Sequence, residues 1–198
     1  MVSTLRRVVS ACGVVLVLAL SPRLEAQTQT VRVPMTCSRG GGHTFSVVAS
    51  APDRAPQGAT YTLRLDSFPS GKIEHAGLRH LRDMEVEYLL PAGARFVEGS
   101  ARIVPNTGTP NVAKTAQVWQ ANGVVHLKLP AKVETGDSYT PPSIELQLVA
   151  TAAAGSELPL KLLRYRVVAN AVIVGDVTAT CDPTPSPFTL ASTTVTKS

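Results

Sequence analysis

Apolar and polar residues alternate with a period of two along most of the chain. Val31, Val33, Met35 and Cys37 share one parity, as do Phe45, Val47 and Ala49. Tyr61, Leu63 and Leu65 alternate with Thr60, Thr62, Arg64 and Asp66, and Met84, Val86 and Tyr88 alternate with Glu85 and Glu87. The pattern returns at Val125, Leu127 and Leu129, at Ile144, Leu146 and Leu148, and at Val177, Ala179 and Cys181. Successive side chains of a strand point to opposite faces, so each run predicts a strand with one buried face. Leu163, Tyr165 and Val167 keep one parity while Leu160 and Leu162 keep the other. That slip predicts a bulge, or a switch between sheets, near Leu162.

Turn chemistry separates the runs: Gly40-Gly41-Gly42, Ala55-Pro56-Gln57-Gly58, Pro69-Ser70-Gly71, Pro91-Ala92-Gly93, Gly136-Asp137 and Pro141-Pro142. Asn122-Gly123, between Val118–Gln120 and Val124–Leu129, is the strongest hairpin signal. The 15 prolines argue against long helices. The one helical candidate runs from about Glu74 to Asp83, with poor apolar spacing. The fold class predicted is all-β, an antiparallel Ig-like β-sandwich of about 8–10 strands.

A chain of 198 residues points to one domain. Its first segment reads as an export signal. Arg6 and Arg7 precede thirteen uncharged residues, Val8 to Leu20, and Leu24 and Ala26 suit cleavage after Ala26. The apolar run is shorter than the ~20 residues of a spanning helix. Residues 1–26 are therefore assigned to a signal peptide, 27–185 to the sandwich, and 186–198 to an edge strand or flexible tail. An uncleaved anchor is the rival reading of the first segment. Removing the signal takes three arginines and one glutamate from 19 basic and 14 acidic residues, leaving a net charge of +3. No basic block survives, and a nucleic-acid footprint needs one.

Cys12 leaves with the signal, so Cys37 and Cys181 remain as an even pair in an exported chain, which predicts a disulfide. Both share parity with core positions, so both are expected to point inward, with Cα atoms about 4.4–6.8 Å apart. The bond would close nearly the whole mature domain.

Two longer stretches carry a family likeness. GATYTLRLDSF with LRDMEVEYLLPAGARFVEGSARI, then NGVVHLKLPAKVETGDSYTPPSIELQLVATA, resembles the Ig-like conserved-repeat modules of bacterial cell-surface proteins. The shared features are Leu90-Pro91-Ala92-Gly93 running into Phe96-Val97, and the Gly136-Asp137-Ser138 turn. With its early Cys, late Cys181-Asp182-Pro183 and Thr-rich end, the chain is also similar to small exported β-sandwich proteins of actinobacteria. The resemblance implies an extracellular Ig-like fold. The chain holds a single module and no LPxTG-type sorting signal, so wall anchoring is not implied.

The search for chemistry returns mostly bland readings. His43, His75, His80 and His126 show neither His-x-His nor His-Glu-x-x-His spacing, and read as surface imidazoles. Ser138 lacks the Gly-x-Ser-x-Gly setting of a nucleophile elbow. Ser70-Gly71-Lys72 lacks the remainder of a phosphate loop, and Gly40-Gly41-Gly42 lacks the strand-then-helix setting of a dinucleotide site. Glu85 and Glu87 form a pair on one strand face, read as solvated. Trp119, the one tryptophan, offers little platform for sugars. A Lys–Asn crosslink drawing on Lys128, Lys161 and Asn170 is a remote option.

The reading is a non-enzymatic, exported cell-envelope or secreted interaction module. It has no metal, no cofactor and no transmembrane segment after signal removal, and its partner is an unidentified protein or envelope component. The alternative is a carrier of a small apolar, lipid-like ligand held between the sheets or at one mouth; unfilled apolar space would favour it over a fully packed core. The candidate contact surface is the segment from Phe68 to Leu81, the longest polar insertion, with Lys72, His75, Arg79 and His80.

Overall fold

The computed structural model describes residues 26–198; residues 1–25, and the export-signal reading with them, lie outside the described residues. Fourteen strands and one helical turn follow in order: β1 (Ala26–Cys37), β2 (Gly41–Pro52), β3 (Arg54–Pro56), β4 (Thr60–Ser67), β5 (Leu78–Leu89), β6 (Ala94–Phe96), β7 (Arg102–Ile103), α1 (Pro110–Ala113), β8 (Gln117–Ala121), β9 (Val124–Leu129), β10 (Val133–Glu134), β11 (Ile144–Ala150), β12 (Glu157–Ala171), β13 (Gly175–Pro183) and β14 (Phe188–Thr196). Hydrogen bonding runs β6-β11-β4-β2-β1-β13-β12-β5-β9-β8, with β3, β7, β10 and β14 off this path. Every pairing among the described residues is antiparallel except β14 with β3. Among them, no helix is long and apolar enough to cross a membrane.

The period-two pattern explains the layers. Val47 of β2, Leu63 and Leu65 of β4 and Leu146 and Leu148 of β11 meet Met84, Val86 and Tyr88 of β5, Leu127 and Leu129 of β9 and Leu160 and Leu162 of β12 in one buried cluster. The parity slip is real: the β12–β5 register shifts between Leu162 and Arg164. At the same place β12 changes partner, pairing β14 up to Leu162 and β13 from Tyr165. Bulge and partner switch therefore coincide. Asn122 (φ 51°) and Gly123 (φ 77°) form the β8–β9 turn, both left-handed as that two-residue hairpin requires.

Some expectations need correction. Glu74–Asp83 is not helical: residues 76–77 turn and β5 begins at Leu78, where pairing with Ala171 of β12 outweighs weak helical spacing. Nor is 68–81 the longest connection, because its last four residues belong to β5; residues 104–116, carrying α1, are longer. Residues 188–196 form β14, whose Leu190, Ala191, Thr193 and Val195 are buried.

Cys37 and Cys181 form the disulfide, 144 residues apart in sequence. Their Cα atoms are 3.9 Å apart, closer than the expected range. The reason is that they face each other on neighbouring strands, with the Ser38 N–H donating to the Thr180 carbonyl beyond them. This is the non-hydrogen-bonded type of antiparallel pair, where side chains approach most closely. Cys181 is buried, whereas Cys37 is only half-buried.

All four tyrosines carry raised pKa values because burial disfavours the phenolate: Tyr61 rises from 10.0 to about 12, and Tyr88, Tyr139 and Tyr165 also rise. The unfolded chain gives up these protons near pH 10 while the fold retains them, so this contribution is full below about pH 10 and is lost as pH climbs through about 12. A spectrophotometric titration of the native protein should show almost no tyrosinate where free tyrosine is half ionised. Tyrosinate should then appear together with loss of the circular dichroism signal. Stepwise ionisation near pH 10 with the fold intact would contradict this burial.

Candidate functional site

The candidate site arises from unequal strand lengths. β1 pairs with β13 only at Met35–Pro183, Thr36–Asp182 and Cys37–Cys181, after which β1 turns into β2. β13 and β12 continue together to Gly175 and Ala171. β13 thus runs on past the end of the β1–β2 hairpin without β1 beside it.

The uncovered stretch bounds a cavity of about 730 Å³. Its wall includes Phe45 of β2, Leu81 of β5, Val167 and Ala169 of β12, and Val177 and Ala179 of β13. Phe45, Leu81, Ala169, Val177 and Ala179 are half-buried, unlike Leu63, Leu146 or Leu127, which point inward where both layers are present. Tyr139 and Tyr165 face each other in the wall, hydroxyl oxygens 3.4 Å apart. Burial raises both phenols, with the Tyr139 hydroxyl adding to the effect on Tyr165.

Residues 68–77 close one side. The Ser70 N–H donates to the Tyr139 carbonyl (2.7 Å) and the Tyr139 N–H to Ser70 Oγ (3.0 Å). The Ile73 N–H donates to the Asp137 carbonyl and the Gly136 N–H to the Ile73 carbonyl, both at 2.9 Å, and Ile73 packs against the core. The backbone of this loop is thus stitched to 136–139.

Of the four sequence candidates, the structure brings two together. Lys72 and His75 line the cavity, joined by Arg39 of the β1–β2 turn and His43 of β2. Arg79 and His80 lie on β5, and His80 pairs with Glu134 of β10 and Asn170 of β12. Among the described residues, no Asp or Glu lines the cavity.

A second feature of this end is the β12–β13 hairpin tip. Val172, Ile173 and Val174 are 55%, 94% and 67% exposed, and Val174 also lines the cavity. The Val172 N–H donates to the Gly77 carbonyl at 2.8 Å, fixing the tip against the 68–77 loop. The sequence reading missed Arg39, His43 and the tip. A signal for the tip existed: strands ending near Ala171 and starting near Val177 require a turn between them, and Val172-Ile173-Val174 must supply it.

Glu85 and Glu87, read as solvated, lie instead in an ion-paired cluster on the outer face of β5. Their side chains are 18% and 11% exposed. Arg166 donates to Glu87 at 2.9 Å, and His126 Nδ1 lies 2.9 Å from Glu85 Oε1. The Trp119 ring stacks on His126 at 4.9 Å, shielding the cluster. Glu85, Glu87 and His126 have metal-ligating atoms within 4.8 Å of one another, and Arg166 lies against both carboxylates, at 3.7 Å from Glu85 and 2.9 Å from Glu87. Asn170 donates to Asp176 and to neither lysine named for a crosslink. Among the described residues no histidine is hydrogen-bonded to a serine, and both cysteines are in the disulfide.

No protein-family model matches the chain, and no curated protein matches it in sequence. Its neighbours among solved structures are β-sandwich modules. A cohesin module from a family 33 glycoside hydrolase of Clostridium perfringens aligns at TM-score 0.43 and 10% identity, over 85% of this chain and 100% of that one. The full-length major pilin SpaD of Corynebacterium diphtheriae aligns at 0.37 and 12%, over 85% of this chain and 34% of the pilin. The major pilin subunit of Bacillus cereus aligns at 0.36 and 10%, over 87% and 41%. The chain thus spans less than half of either pilin. These are likenesses of the sandwich shape alone.

Proposed function

We propose that the chain is an extracytoplasmic, non-enzymatic binding module whose contact end is built from the 172–174 tip, the 68–77 loop and the 38–40 turn. The observation that carries this is the tip. A hairpin turn ordinarily takes Asn, Gly or Asp, whereas here three consecutive β-branched apolar residues stand in solvent. Such a patch beside a cavity marks a surface that another molecule covers. The disulfide supports an oxidising compartment. The bonded partners of the histidines and cysteines offer no nucleophile–base pair.

The test is retention on the envelope fraction, comparing wild type with Ile173→Asp. Ile173 is almost fully exposed, so the variant should keep wild-type stability. It should lose binding by roughly tenfold or more, the equivalent of ~1.4 kcal/mol or more. Equal retention by both proteins, or turnover of an ester, glycoside or phosphate substrate by pure protein, would overturn the proposal.

A further inference from the structure

We infer that the cavity between β2, β12, β13 and the 68–77 loop holds the alkyl chain of a single-chain anionic amphiphile, with the headgroup at the Arg39–Lys72 rim. The inference rests on reading this end of the sandwich as the contact end and names what enters it. Three observations select the occupant.

The first is size. The cavity of about 730 Å³ lies within the roughly 300–1,000 Å³ typical of small-molecule sites. A methylene needs about the room of a water molecule in the liquid, ~30 Å³, so on the order of twenty such groups fit. That accommodates one long alkyl chain and not two.

The second is chemistry. The wall is Phe45, Leu81, Val167, Val177 and Ala179, with Tyr139 and Tyr165 meeting hydroxyl to hydroxyl. None of these wall side chains carries a charge and the two hydroxyls face each other, so a charged group stays at the mouth. The third is the rim. Arg39, Lys72, His43 and His75 line it with no carboxylate among the lining residues. A cationic headgroup finds no partner there, and an anionic one finds two permanent cations.

The experiment titrates delipidated protein with saturated fatty acids from octanoate to hexacosanoate, a series that runs past the length the cavity can hold, using alkyl trimethylammonium ions of matching length as cationic controls. Affinity should rise about fourfold per methylene, the equivalent of ~0.8 kcal/mol, and then level off once the cavity is full. The cationic series should bind roughly tenfold more weakly, ~1.4 kcal/mol, and Lys72→Glu should narrow that gap. Ala179→Phe should abolish binding of the longer chains. Should that variant fail to fold, Val177→Leu should move the plateau to a shorter chain. Affinity independent of chain length, or no preference for the anion, would overturn the inference. So would binding of an apolar peptide in place of any amphiphile.

The two readings fail separately. If fatty acids do not bind while Ile173→Asp still loses envelope retention, the occupant is wrong and the contact end stands. If Ile173→Asp changes nothing, the contact end itself is wrong.

Discussion

Replacing Cys37 and Cys181 together by serine should lower the free energy of unfolding by about 5 kcal/mol, the chain-entropy value for a closed loop of this length. The bond spans 144 residues, so without it the unfolded chain gains the freedom of almost the whole domain. At about 2–4 °C per kcal/mol for a chain of this size, the expected fall in Tm is roughly 10–20 °C. The native state supplies little to offset the loss, because β1 meets β13 at only three residue pairs, one of which places Pro183 opposite Met35. Proline has no N–H to donate. Urea unfolding of the oxidised protein and the double-serine variant provides the measurement. Midpoints that coincide would show that the disulfide contributes nothing to the fold.

The second large effect is expected at Gly108. Its φ is +78°, and a Cβ there would lie 2.7 Å from Pro142 N, 2.8 Å from Pro142 Cα and 2.9 Å from the Thr140 carbonyl oxygen. All three atoms are backbone, so no side-chain rotation relieves the overlap. Around this point the 104–116 connection is sewn to 140–143. The Thr109 N–H donates to the Thr140 carbonyl, the Thr140 N–H to Thr109 Oγ1, and the Ser143 N–H to Thr107 Oγ1. A left-handed conformation costs a residue with a Cβ about 1–2 kcal/mol. Overpacking adds about 1–3 kcal/mol. Gly108→Ala should therefore cost about 2–5 kcal/mol. Gly58 is the control: its φ is +82° and a Cβ there meets nothing within 4 Å. Gly58→Ala should cost only the conformational part, about 1–2 kcal/mol. Equal losses at both positions in chemical denaturation would show that the close approach to Pro142 is absent.

These two cases show what the sequence makes legible. Parity identified the inward face of most major strands and the switch near Leu162, because a strand with one buried face writes its orientation into every second residue. Asn122-Gly123 was readable because a two-residue hairpin demands left-handed backbone. Gly108 was not, since its constraint comes from Pro142, and no local pattern names a partner so far along the chain. Leu78–Leu81 looked like loop because Arg79 and His80 interrupt its apolar positions. Asp83, at φ 48°, adds a kink that moves Leu81 and Met84 toward the same interior. Glu85 and Glu87 looked solvated because their partners, Arg166 and His126, come from β12 and β9.

The cavity was the least legible feature. Val177 and Ala179 carry the same period-two signature as Leu127 or Leu146, but alternation records which way a residue points and not what faces it. That depends on β1 turning at Cys37 while β13 runs on to Gly175. Lys72 and His75 were found as polar residues of a loop. Arg39 and His43 flank the Gly40-Gly41-Gly42 turn, whose sequence marks a change of chain direction and no ligand. Their convergence on one mouth is a product of the fold.

The central claim is that this mouth is an occupied binding site. Native mass spectrometry of the protein recovered from its own source, beside an Ala179→Phe variant from the same source, tests it most directly. The predicted result is wild-type protein carrying the Cys37–Cys181 bond and one long-chain anionic single-chain amphiphile, with the variant carrying the bond and no long-chain ligand. Wild type and variant both appearing as the bare chain, or both holding the same ligand, would contradict the claim.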